Sequence, residues 1–161
     1  MEPDSTVLHQ LYGSSFTAFV LMQKEGYDLY ALARLGDPDL GYSAVRCALQ
    51  HAAEDWGRLL REQSPAACVW QMVRDCVTEA RVHVSAPAAD NLHQRLPAAQ
   101  ADVELLHRLG LSVEQAADLM GRAASETVAD LLMARRTLRN PAGAGDATTA
   151  ADVVGLPEAL R

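Results

Sequence analysis

The chain has 161 residues, 49% of them hydrophobic and 22% charged, enough apolar side chain for one domain or two small ones. Its net charge of −7 excludes general electrostatic adhesion to nucleic acid, because the sequence-independent part of such binding is attraction of cations to phosphates. Aromatic residues make up only 5%, so the cores must rest on Leu, Val, Ala and Met.

Cys47, Cys68 and Cys76 form no CxxC pair and leave one cysteine over, which argues against a disulfide framework. The start, MEPDSTV, lacks the basic and apolar runs of a signal peptide, and no stretch approaches the roughly 20 apolar residues of a membrane span. A cytoplasmic protein is expected.

Four helical segments are predicted in the first half. Ser14 or Ser15 caps a helix carrying Phe16, Phe19, Val20 and Met22, which stops near Gly26. A second covers Tyr27–Leu35, closed by Gly36-Asp37-Pro38. A longer one runs from about Leu40 to Arg61 with Val45, Leu49, Ala52, Trp56 and Leu60 on one stripe. Ser64-Pro65 starts the fourth, which buries Val69, Met72, Val73, Cys76 and Val77. No segment alternates apolar and polar residues for long enough to make a strand. The fold class is therefore all-α. A domain over residues 1–84, a linker at 85–91, a second domain over 92–140 and a flexible tail at 141–161 are expected, the boundary falling in SAPAAD.

The second unit reads as one helix followed by a helix-turn-helix. Val103, Leu106 and Leu109 line the first helix up to Gly110. Ser112 and Gln115 make a capping box for the next, with Val113, Ala116, Ala117 and Met120 inward. Gly121 supplies the turn, and Ser125 caps a final helix burying Val128, Leu131, Leu132 and Leu138. In such a motif the last helix enters a DNA major groove. The candidate contacts are Arg122, Arg135, Arg136 and Arg139, with Ser125 and Thr127 as neutral phosphate donors. The competing reading is that Arg135, Arg136 and Arg139 complement a helix C-terminus.

Leu96-Pro97, Gln100, Gly110-Leu111-Ser112, Glu114, Ala116, Met120-Gly121, Thr127-Val128 and Arg135-Arg136 together resemble region 4 of bacterial sigma-70-type factors of the extracytoplasmic-function group. Phe16, Phe19, Tyr27–Ala33 and Gly36–Asp39 resemble region 2 of the same group. The resemblance implies two helical domains that bind RNA polymerase core and place the second on promoter DNA, with no cofactor. The resemblance is to an atypical member. Leu40–Cys47 stands where the family carries polymerase-gripping acids and a Gln, and Ala129, Asp130 and Leu131 stand where the family offers Lys, Ser and Arg. In the segment that melts promoter DNA, Arg74 and Arg81 are the evident phosphate partners. Residues 1–80 hold 11 acids against 6 bases, and residues 101–140 hold 6 against 5, so neither half shows the basic footprint of a DNA reader.

Two functions stay open: a sigma-factor-like transcription regulator, or a sigma mimic that binds an anti-sigma factor or another regulator without reading a promoter. In a mimic the two halves are free to pack on each other. No enzyme is expected, since there is no phosphate-binding glycine loop, nucleophile elbow or HExxH. His51 and Glu54 sit one turn apart with no third ligand nearby in sequence. Cys68 and Cys76 are read as core packing, and His93 and His107 as isolated.

Overall fold

A computed structural model describes residues 5–84 and 91–140, with side chains from Gly13 onward. The expected linker residues 85–90 and the tail from 141 lie outside the described residues. Every regular element among the described residues is helical: α1 (Ser5–Leu35), α2 (Pro38–Glu54), α3 (Trp56–Leu59), α4 (Pro65–Arg81), α5 (Leu92–Arg95), α6 (Ala98–Arg108), α7 (Val113–Met120) and α8 (Ala124–Arg139). None of them is long and apolar enough to cross a membrane.

The first two predicted helices are one. α1 runs unbroken for 31 residues, so Ser14 and Ser15 cap nothing and Gly26 stops nothing. Gly26 instead serves as a seat: a Cβ there would lie 2.9 Å from the Leu119 methyls, so its absence lets α7 press onto α1. Glycine in a helix interior costs about 1 kcal/mol relative to alanine, and the Leu119 contact offsets that cost. The Ser15 hydroxyl accepts a 2.8 Å hydrogen bond from the Trp56 indole, whose ring packs on Phe16 and Phe19.

The turn Gly36-Asp37-Pro38 forms as its chemistry predicts. Gly36 is left-handed at φ 68, and the Asp37 carboxylate accepts from the backbone N–H groups of Asp39 and Leu40. The predicted helix to Arg61 breaks at Asp55, and the short α3 turns Leu59 inward while Leu60 stays exposed. Ser64 caps α4 as expected, accepting from the Ala67 N–H at 3.2 Å. Val69, Trp70, Val73 and Val77 form its buried face.

A continuous apolar core joins both halves, running from Tyr27, Val45 and Val73 to Val103, Leu106, Leu119 and Leu131. Tyr27 and Tyr30 are fully buried at its centre, against Trp70. Burial holds both phenols above their ordinary value, and at Tyr30 the Asp102 carboxylate adds to the effect. A raised folded-state pKa means that the stabilisation is complete below pH about 10 and drains away as the pH rises beyond it. Melting temperature should therefore hold steady on the neutral side and fall steeply above pH about 10. The Tyr27 hydroxyl lacks a hydrogen-bond partner among the described residues. Tyr27→Phe should accordingly keep neutral-pH stability and blunt the alkaline fall; an unchanged alkaline limb would remove Tyr27 from this account.

Candidate functional site

The helix-turn-helix is present. α6, α7 and α8 pack together. α7 opens on the predicted capping box, with the Ser112 hydroxyl accepting from the Gln115 N–H at 3.1 Å and the Gln115 side chain accepting from the Ser112 N–H at 2.9 Å. Gly121 closes α7 in the left-handed region at φ 64. Ala116, Ala117 and Met120 are buried as predicted, as are Val103 and Leu106.

The final helix differs from its prediction in three ways. Ala123, not Ser125, occupies its N-cap position, and no side chain caps it. Thr127 is fully buried with its hydroxyl donating 3.0 Å to the Ala123 carbonyl, which withdraws it from any phosphate. Val128 and Leu132, expected inside, are 42% and 61% exposed, while Thr127, Leu131 and Ala134 form the buried face. The helix is rotated relative to the sequence reading, and the local bond of the Thr127 hydroxyl removes the cost of turning that residue inward. A small, internally bonded residue can then take the inward position that Val128 was assigned.

The outward face of α8 carries Ser125, Val128, Ala129, Leu132, Met133 and Arg136. Its middle is apolar. Of the predicted DNA contacts, Ser125, Arg135, Arg136 and Arg139 are exposed. Arg122 is engaged internally, its Nη1 lying 2.6 Å from the Asp130 carboxylate and its Nε 3.7 Å from Glu126. Arg135 lies 3.5 Å from Glu104, which also pairs with Arg108 at 2.8 Å. The Arg139 guanidinium donates to the Arg135 carbonyl at 3.3 Å, the helix-terminal role of the competing reading. These contacts occupy only some of the five donors on each guanidinium, but the carboxylates beside Arg122 and Arg135 offset part of the charge those two offer to a phosphate.

The strongest polar constellation lies between the halves. Asp102 on α6 is fully buried. It accepts from the Tyr30 hydroxyl of α1 at 2.9 Å, pairs with the Arg74 Nε of α4 at 2.8 Å, and meets the His93 Nε2 of α5 at 2.6 Å. The buried Arg34 extends it, donating to the Tyr30 oxygen at 2.7 Å. Arg74, read as a phosphate partner, thus holds a carboxylate inside the molecule, and His93 is not isolated. A second seam joins the Ser64 hydroxyl of the α4 cap to the Gly121 carbonyl at 2.9 Å.

A third grouping brings Cys47 and His51 of α2 to Cys76 of α4, with ligand atoms within 4.8 Å of one another. The sequence places Glu54 beside His51 and reads Cys76 as core packing, so it does not bring these three together. The cluster is invisible in sequence because Cys76 comes from a separate helix. Burial, and then the Cys47 thiol beside it, push the Cys76 thiol up to about 12, so it is not poised as a nucleophile. Comparison with family models, with curated proteins and with solved structures gave no match for this chain.

Proposed function

We propose that the chain is a regulatory protein-binding module, the sigma-mimic alternative of the sequence reading, whose helix-turn-helix engages another protein and not promoter DNA. The observation that carries this reading is the outward face of α8, where Val128, Leu132 and Met133 are 42%, 61% and 50% exposed. Groove-reading helices present donors to base edges, which these side chains lack. The partner has an apolar patch bordered by carboxylates, complementary to this strip and to the exposed Arg136 and Arg139 at its end. Internal pairing of Arg122 and Arg135 supports the same reading, because it diminishes the local positive field. So does the buried Asp102 hub, which holds together two halves that a promoter-bound factor would use apart.

The test is affinity capture by the full chain from its native host, with Leu132→Glu alongside. A regulatory protein should be bound by the wild type and weakened more than about tenfold by the charge, with helix content and melting unchanged. Binding to duplex DNA should be weak, and changing Arg135 and Arg136 to Ala should leave its salt slope unaltered. Recovery of RNA polymerase core, promoter-directed transcription and a flattened salt slope in the double variant would instead establish a working initiation factor.

A further inference from the structure

We propose that Cys47, His51 and Cys76 form a zinc-binding site that bridges α2 and α4. Cys47 and His51 stand four residues apart, which places them one above the other on a single helix face. α2 buries Gly41, Ala44, Val45, Ala48 and Ala52, mostly small residues that let its axis run close to its neighbours. That approach brings a side chain as short as Cys76 within reach across the helix pair. All three ligand atoms fall within 4.8 Å of one another. In a tetrahedral zinc site with bonds of roughly 2.0–2.3 Å, ligand atoms sit about 3.3–3.8 Å apart. Side-chain rotation of about an ångström closes the difference, and the two α2 ligands are exposed and free of the core packing that would resist it.

The donor set narrows the ion to the softer transition metals, zinc among them. Two sulfurs and an imidazole suit zinc, whereas calcium and magnesium require oxygen ligands that this cluster lacks. On binding, each S–H bond gives way to an S–Zn bond and its proton passes to solvent, while the imidazole contributes a neutral nitrogen lone pair. Three protein ligands leave a fourth position, on the side where Cys47 and His51 are exposed, for water or an exchangeable ligand. The consequence is a clamp. The ion joins α2 and α4 of the first half at the surface.

The experiment titrates the reduced full-length protein with cobalt(II), then displaces the cobalt with zinc, and measures zinc affinity against a chromophoric chelator. A single equivalent of cobalt should give the intense visible bands of a tetrahedral site and thiolate charge transfer in the near ultraviolet, both abolished by zinc. Zinc in hundredfold excess over its Kd should raise the melting temperature by roughly 5 °C or more. His51→Ala and Cys47→Ser alter exposed residues and should keep the fold. Each should weaken zinc binding beyond the roughly 10–100-fold seen when only an outer partner is disturbed, and should cancel the thermal shift. Cys76→Ser should do the same, and Cys68→Ser, the remaining cysteine, should leave both readouts intact. Weak octahedral cobalt bands, or affinities equal in wild type, His51→Ala and Cys47→Ser, would overturn the site even if Cys76→Ser proved unfolded.

Discussion

Asp102→Ala should be among the most damaging single changes in the protein, lowering its stability by about 3–5 kcal/mol. The carboxylate is fully buried and answers three groups from three other helices: Tyr30 on α1, Arg74 on α4 and His93 on α5. Alanine leaves the fully buried Tyr30 phenol without its acceptor and the largely buried Arg74 guanidinium without its counter-ion. An unsatisfied buried donor costs about 1–3 kcal/mol and a stranded charge more. Such a loss is a large fraction of the roughly 5–15 kcal/mol available to a domain of ordinary stability. Urea unfolding measures it directly. A double-mutant cycle with Arg74→Ala should return a coupling of about 0.5–3 kcal/mol, as expected of residues in one network. A loss below about 1 kcal/mol and no coupling would mean that apolar packing alone holds the halves together.

Gly121→Ala should cost about 2–5 kcal/mol, the left-handed backbone contributing about 1–2 and the steric displacement about 1–3. Gly121 has φ 64, and a Cβ there would fall 2.1 Å from the Ala67 nitrogen and 2.7 Å from the Ala66 carbonyl carbon. Backbone cannot move aside as a flexible side chain can, so the turn of the helix-turn-helix would be pushed off the start of α4. The 2.9 Å hydrogen bond from Ser64 to the Gly121 carbonyl would be lost with it. Gly36 and Gly110 provide the control. Both have positive φ, at 68 and 96, but a Cβ at either meets nothing within 4 Å. Gly36→Ala and Gly110→Ala should therefore show the conformational cost alone, about 1–2 kcal/mol. Equal losses at all three positions in thermal or urea melts would show that the α4 contact contributes nothing.

Local chemistry was legible wherever it is settled within one turn of helix. Asp37 and Ser64 cap, Ser112 and Gln115 form their box, and Gly121 turns, all as the residue types dictate. The same local reasoning failed at Gly26, where a residue that usually interrupts a helix is required by Leu119, a side chain 93 positions away. It failed again along α8. Val128 and Leu132 have the period of an inward stripe, yet Thr127 and Ala134 are the residues turned inside. Hydropathy ranks Thr below Val, and only the internal bond to the Ala123 carbonyl makes its burial cheap.

The candidate sites divide along the same line. Helical periodicity, caps and turns determined an all-α chain with a helix-turn-helix in its second half, because those signals act over three or four residues. Charge counting also showed in advance that this motif lacks a basic footprint. The tertiary structure alone decided what its charged residues do. Arg74, Arg122 and Arg135 are indistinguishable in sequence from phosphate-binding arginines, but each has a carboxylate within 3.5 Å supplied by the folded chain. Asp102 and His93, and the trio of Cys47, His51 and Cys76, meet only because helices distant in sequence share a core. Electrostatic pairing and metal-ligand geometry depend on distances of a few ångströms, which helix packing sets and residue order does not.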